Sequence, residues 1–275
     1  SRPAAAPFDP SDPSQADAFY QGAFGPDLGY MPGGLRLSSD LAHCLDSGDL
    51  TRALLRRSRT PRERAFAWGW VTHVLADQWI HPLVARAVGE LVYGSGDCFA
   101  YGDRHPIAHV RVEAGLDAVF AERHPELRRW RFRPVFDSSS IEGVSGAFDD
   151  VYGGGPTPAA LLSSHVGAAR RARQGVALAV FTARHLPTHL RPERTGVEPQ
   201  PGPVSRLRTV LGGRSVVFGF MLPVLPPSWF LDAVHQVEHA FVGYFNEQLE
   251  TGAAGLENLN LDTGRPQFDD PTHGG

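Results

Sequence analysis

The sequence predicts an all-α protein, a compact multi-helix bundle. Long stretches repeat their apolar residues at helical spacing, and those stretches are bounded by helix-start and helix-stop residues. The longest apolar run without that spacing, VVFGFMLPVLPPSW (216–229), is broken by prolines and reads as an irregular segment rather than a strand.

The elements follow in order. After a polar, proline-rich lead-in (1–13), ADAFYQGAF forms a short helix ended by Gly25-Pro26. SSDLAHCLDSGD opens with residues suited to an N-cap and stops at Gly48, and LTRALLRRSR continues as a short helix. Thr60, Pro61 and Glu63 resemble a capping box at the start of a long helix expected to run to about Gly89. GSGDCFAYGD is loop, and helical spacing returns in RHPIAHVRVEAGLDAVFAERH. The stretch 131–157 is turn-rich and closes on YGGGP. PAALLSSHVGAARRARQGVALAVFTARHL is a helix, 191–203 a Pro- and Gly-rich connection, and PPSWFLDAVHQVEHAFVGYFNEQLE the last helix. The expected organisation is one helical domain over 1–275, with 252–275 a disordered tail; no internal repeat is present.

Composition narrows the function. A chain of 275 residues with 42% hydrophobic residues is long enough to bury a full core. A formal charge of -4 argues against non-specific binding to nucleic acid or anionic membranes. All 26 basic residues are arginine, which resembles coding bias more than function. No uncharged apolar run is long enough to span a membrane, and SRPAAAPFDPSDPSQ lacks the pattern of a signal peptide. The first residue is not Met, so a cytoplasmic and a processed, secreted protein both fit. Cys44 and Cys98 could form one bridge at most. Oligomeric state stays open.

The segment AFAWGWVTHVLADQWIHP (65–82) carries the chemistry. His73, Asp77 and His81 recur every four residues, so they form one polar stripe in a helical segment whose other positions are nearly all apolar or aromatic. Burying two imidazoles and a carboxylate is costly unless they are paired or hold a cation, and neutral imidazole and carboxylate are natural metal ligands. A lone histidine in such a place reads as hydrogen-bonded core. A second pair, His109 and Glu113, repeats the four-residue spacing; alone it reads as an exposed helix pair. Two helices each offering histidine and carboxylate are a recurrent way to build a multinuclear site in a bundle. Asp27 and His43 bring the candidate ligands to seven.

Taken together, FYQGAFGPDLGYMPGG, SDLAHC, AFAWGWVTHVLADQWIHP and HVRVE resemble the zinc-dependent phospholipase C family, over roughly residues 15–120. The resemblance implies an all-helical fold with a zinc cluster in a cleft. It implies that Asp27, His43, His73 and Asp77 hold one zinc and that His81, His109 and Glu113 hold a second, with Asp77 bridging toward a third. The family's third zinc uses the N-terminal residue and a nearby histidine, whereas the first histidine here is His43. Two zincs, or a weaker third, are therefore expected. The spacing from Asp77 to His81 is also shorter than the family pattern. The implied activity is phosphoester hydrolysis by metal-activated water, with Asp27 as general base and a lipid or small-molecule phosphoester as substrate. The alternative is the same scaffold holding iron or manganese for lyase or redox chemistry on a small metabolite; a metal-stabilised binding domain ranks behind both.

Three other stretches offer less. His235, Glu238 and His239 form an H-x-x-E-H pattern, but helical spacing puts Glu238 and His239 largely off the core face, so they read as solvated. RRWRFRP (128–134) packs a loop more readily than it binds nucleic acid, and YGGGP lacks the lysine of a phosphate loop. VVFGFMLPVLPPSW is either ordinary core or the lining of a cleft for acyl chains, with Phe218, Phe220 and Met221 as the contacts to test.

Overall fold

The computed structural model describes residues 7–31, 33–102, 104–124, 138–167, 223–224 and 226–266. The chain divides into two compact units. One comprises Ser1–Trp79, Arg131–Ala172 and Val237–Gly275; the other comprises Ile80–Trp130 and Arg173–Gln236. Among the described residues the architecture is helical, with a single two-stranded hairpin.

In the first unit, helix α1 (Pro13–Phe24) begins with Pro13 in its first turn, and the Asp12 carboxylate accepts from the Ser14 amide. A 3₁₀ turn, Pro26–Gly29, follows, then α2 (Arg36–Cys44) and α3 (Ser47–Arg57). Asp46, in the left-handed region at φ 48°, turns the chain between α2 and α3. The long helix α4 (Pro61–Tyr93) starts with a reciprocal cap: the Glu63 amide donates to Thr60 Oγ1 (3.2 Å) and the Thr60 amide to Glu63 Oε2 (3.0 Å). Ala65, Phe66, Ala67, Trp68, Trp70 and Val71 are all buried, so this part of α4 is covered all round. Two glycines set how closely α1 and α4 cross. A Cβ on Gly22 would lie 1.9 Å from the Phe66 carbonyl oxygen, and one on Gly69 would lie 1.9 Å from that of Phe19.

Residues 138–152, read from sequence as turn, form helix α6 (Ser138–Tyr152), packed on α3. Its serines and glycines suggest turns, but Ile141, Val144, Ala147 and Phe148 recur on one face and are buried. Arg57 and Asp150 join α3 to α6 through a two-pronged ion pair, both bonds 2.7 Å. The Tyr152 hydroxyl donates to the Leu45 carbonyl (2.6 Å), just past the end of α2. Residues 158–167 are helical (α7).

The last helix, α8 (Ser228–Thr251), is followed by residues whose composition predicts a disordered tail. That reading is corrected for 252–266: Ala253, Leu256 and Leu261 are buried, and Leu259–Asn260 (β1) pairs antiparallel with Arg265–Pro266 (β2). The tight turn between the strands uses Gly264 at φ 65°.

In the second unit, α4 runs on past the expected end near Gly89 to Tyr93, with Pro82 inside it. Val84 and Val88 of α4, Val112 and Leu116 of α5 (Pro106–Arg123), and Phe230 and Val234 of α8 form one core cluster. Gly89 has no room for a side chain, because a Cβ there would lie 1.6 Å from the Cys98 carbonyl oxygen. Trp229 is held twice, by a hydrogen bond to Glu90 (2.8 Å) and by the Arg86 guanidinium over its ring (4.3 Å).

RRWRFRP and most of VVFGFMLPVLPPSW lie outside the described residues. No described helix is long and apolar enough to cross a membrane.

Candidate metal centres

The first cluster gathers Asp27, His43, His73 and Asp77. His73 and Asp77 are one turn apart on α4, with His73 Nε2 and Asp77 Oδ2 at 3.0 Å. His43 arrives from α2: its Nε2 lies 3.2 Å from His73 Nε2, 3.2 Å from Asp27 Oδ1 and 3.5 Å from Asp77 Oδ2. Asp27 comes from the 3₁₀ turn.

Each imidazole is oriented by its other nitrogen. His43 Nδ1 lies 2.9 Å from the Ser39 carbonyl, and His73 Nδ1 lies 2.9 Å from the Ala23 carbonyl. A carbonyl only accepts, so both Nδ1 atoms carry the proton and both neutral rings aim an Nε2 lone pair at the same spot. Two carboxylate oxygens face that spot as well. Four acceptors around one point need a cation or added protons between them, and two nitrogens with two carboxylates fit zinc.

The electrostatics of the metal-free cluster say the same. Burial would lower the His73 pKa, but Asp77 and then Asp27 outweigh it and push it up to about 9. Burial opposes a charge on His43 too, yet bonding to Asp27 raises it above the ordinary value. Both shifts mark a point that favours positive charge.

Ser39, not singled out from the sequence, places Asp27. Its hydroxyl accepts from the Gly29 amide (2.8 Å) and donates to the Pro26 carbonyl, tying the 3₁₀ turn to α2 one helical turn before His43. A polar residue four positions before a candidate histidine was the available signal. Tyr30 packs against the His43 ring, with centroids 5.1 Å apart.

The second cluster gathers His81, His109 and Glu113. Glu113 Oε1 lies 3.0 Å from His109 Nε2, one turn away on α5, and 3.4 Å from His81 Nε2 of α4. The two rings meet edge to face at 5.2 Å. Partial burial works against the Glu113 charge, but His109 and then His81 outweigh it and hold the carboxyl well below the usual range. Gly102 lets the preceding loop close on the His109 ring: a Cβ there would be 3.2 Å from Nδ1. Two imidazoles and one carboxylate are a zinc ligand set with a place left for water or substrate.

Thus the structure brings Asp27, His43, His73 and Asp77 together in one cluster and His81, His109 and Glu113 in another. Among the described residues, His235, Glu238 and His239 of α8 belong to neither group, and His235 and His239 are exposed.

The model of one protein family, zinc-dependent phospholipase C, matches residues 3–148. The chain belongs to the zinc-dependent phospholipase C family. Metal-dependent phosphoester hydrolysis is the chemistry of that family, zinc is its metal, and the helical architecture agrees with it. No curated protein and no solved structure gives a significant match. Every candidate ligand lies within the stretch matched to the zinc-dependent phospholipase C family, whereas α7, α8 and the hairpin lie beyond it.

Proposed function

We propose that this chain is a phospholipase C that hydrolyses the phosphodiester of a lipid headgroup. Zinc would be held by Asp27, His43, His73 and Asp77 at one cluster and by His81, His109 and Glu113 at the other. The observation that carries the reading is the pair of opposed Nε2 atoms, 3.2 Å apart, on imidazoles whose Nδ1–H groups are already committed to carbonyls. Asp27 Oδ1 and Asp77 Oδ2 face the same point and complete a set of two nitrogens and two carboxylates suited to zinc.

When bound, zinc supplies charge to neutralise the phosphoryl oxygens and lowers the pKa of water toward neutrality. The chain's own residues do the rest. The carbonyls of Ser39 and Ala23 hold the two imidazoles in one tautomer, so no proton moves on those rings during turnover. Asp27 is the general base. Its side chain is 40% exposed against 14% for Asp77, and Oδ1 faces the imidazoles, which supports Oδ2 as the acceptor of the attacking water's proton. Trp70, Val74 and Leu75, neighbours of the α4 ligands in sequence, are buried, so this stretch of α4 is set in the core.

The test is zinc content by mass spectrometry together with hydrolysis of phosphatidylcholine vesicles and of a soluble chromogenic phosphodiester, before and after chelation. Two or more zincs per chain and chelator-sensitive release of phosphorylated headgroup are expected. A protein that retains no metal, or hydrolysis indifferent to chelation, overturns the reading. About one iron per chain without hydrolysis would favour redox or lyase chemistry on the same scaffold.

A further inference from the structure

The segment 256–266 carries none of the candidate ligands, yet it is bonded to both helices that present them in the first cluster. The Leu261 amide donates to the carbonyl of His43 itself (2.7 Å). That carbonyl sits in the last turn of α2, where helical partners run out, and Leu261 is fully buried. One residue on, Cys44 Sγ lies 3.9 Å from Asp262 Oδ2. On α4, Gln78, the neighbour of Asp77, donates its side-chain amide to the Glu257 carbonyl (3.3 Å).

The segment is anchored at the start of α3. Asn258 pairs both ways with Asp49, accepting from its amide (2.9 Å) and donating to its carboxylate (2.8 Å). The Ser47 hydroxyl donates to the Leu259 carbonyl (2.7 Å), and Arg52 donates to that of Leu256. Gly48 is what admits it, since a Cβ there would lie 2.8 Å from the carbonyl oxygens of both Leu256 and Glu257.

We propose that residues 256–266 are a positioning clasp for the Asp27–His43–His73 cluster, fixing the last turn of α2 through Leu261 and α4 through Glu257. α2 is only nine residues long, so its final turn depends on partners outside the helix. With the clasp displaced, His43 loses the restraint that keeps its Nε2 opposite that of His73, and the cluster binds metal more weakly. The inference rests on the zinc reading and reaches beyond the residues matched to the family.

The test is cobalt(II) affinity, followed by the visible d–d band against a competing chelator, in full-length protein carrying His109→Ala to disable the other cluster. Two variants displace the clasp without touching a ligand: Gly48→Ala, which favours helix but collides with the segment, and Leu261→Pro, which deletes the donor. Two controls lie elsewhere in the same unit: Ile141→Ala, which empties core, and Gly143→Ala, whose Cβ would meet only Leu54 at 3.7 Å. Both clasp variants are expected to weaken cobalt binding about 10- to 100-fold, the range for residues that orient metal ligands. Both controls are expected to leave it unchanged, with Ile141→Ala lowering Tm. Clasp variants that bind like their parent, or an equal loss in Ile141→Ala, overturn the clasp alone. A His109→Ala parent that binds no cobalt overturns the zinc reading at this cluster, and the clasp with it.

Discussion

His43 and His73 face each other through Nε2 at 3.2 Å, while each is locked behind by an Nδ1–H bond to a main-chain carbonyl. Neither ring can turn its proton toward the other without abandoning a bond it already makes. That arrangement is costly without a cation, and the predictions below start from it.

Asp77→Asn keeps the shape of the side chain and removes its charge. Loss of zinc from the first cluster and loss of phosphodiester hydrolysis are expected, read by metal analysis and turnover. In chelated protein the lost support for His73 should cost about 3–5 kcal/mol, the usual result of halving a buried pair. Full zinc content in the variant would remove Asp77 from the ligand set.

Stability should depend on pH in opposite senses with and without metal. His73 is raised to about 9 in the metal-free protein, against about 6.5 when unfolded. Its contribution is therefore complete below about pH 6.5 and disappears as pH rises through about 9, roughly 3 kcal/mol in all. His43 is raised as well and acts in the same direction. Zinc takes neutral imidazole, so the loaded protein should gain Tm over that interval. Thermal melts in chelator and in zinc check both slopes; a flat chelated profile would refute the assignment.

Gly69→Ala acts on the site through α1. Its Cβ would press on the Phe19 carbonyl at 1.9 Å and the Ala23 amide at 2.8 Å, beside the carbonyl that holds His73. A loss of about 1–3 kcal/mol is expected from overpacking. Weaker zinc binding at the first cluster should accompany it. Unchanged zinc affinity would mean that the Ala23 bond does not matter to the ligand.

Ser39→Ala removes the hydroxyl that joins the Asp27 turn to α2. Two buried main-chain groups lose their partner, at about 1–3 kcal/mol. Hydrolysis should fall through kcat rather than KM if Asp27 is the base. A pure KM effect would place Asp27 in substrate binding instead.

Glu113→Gln should cost the second cluster its metal and leave the first loaded, giving about half the zinc of the parent if each cluster holds one ion. Retention of all zinc would exclude Glu113 as a ligand.

His73 and Asp77, and His109 and Glu113, are legible in the sequence because helical periodicity alone puts residues four apart on one face. Asp27 and His43 have no such neighbour: each is a candidate from its residue type and place at a helix end, and only the family resemblance joins them to His73 and Asp77. Their meeting depends on Ser39 and on the close crossing of α1 with α4, which no local pattern encodes. Helix α6 is hard to read from sequence because SSSIEGVSGAFDDVY combines four serines with two glycines, composition that suits turns, while its apolar face is stabilised by packing on α3. The hairpin is hard to read for a related reason: it is short and polar, and it bonds to α2 and α3, 212 to 218 residues away in the chain.

That distance has a consequence for biogenesis. At about 5–20 residues per second, a ribosome takes roughly 10–45 s to get from His43 to Leu261. Through that interval α2 exists without the partner of its last turn, so if 256–266 is the clasp proposed above, the nascent chain offers zinc a weaker site than the finished one. Zinc delivered after Leu261 has emerged would meet the tighter site, which would make the clasp a checkpoint on metallation.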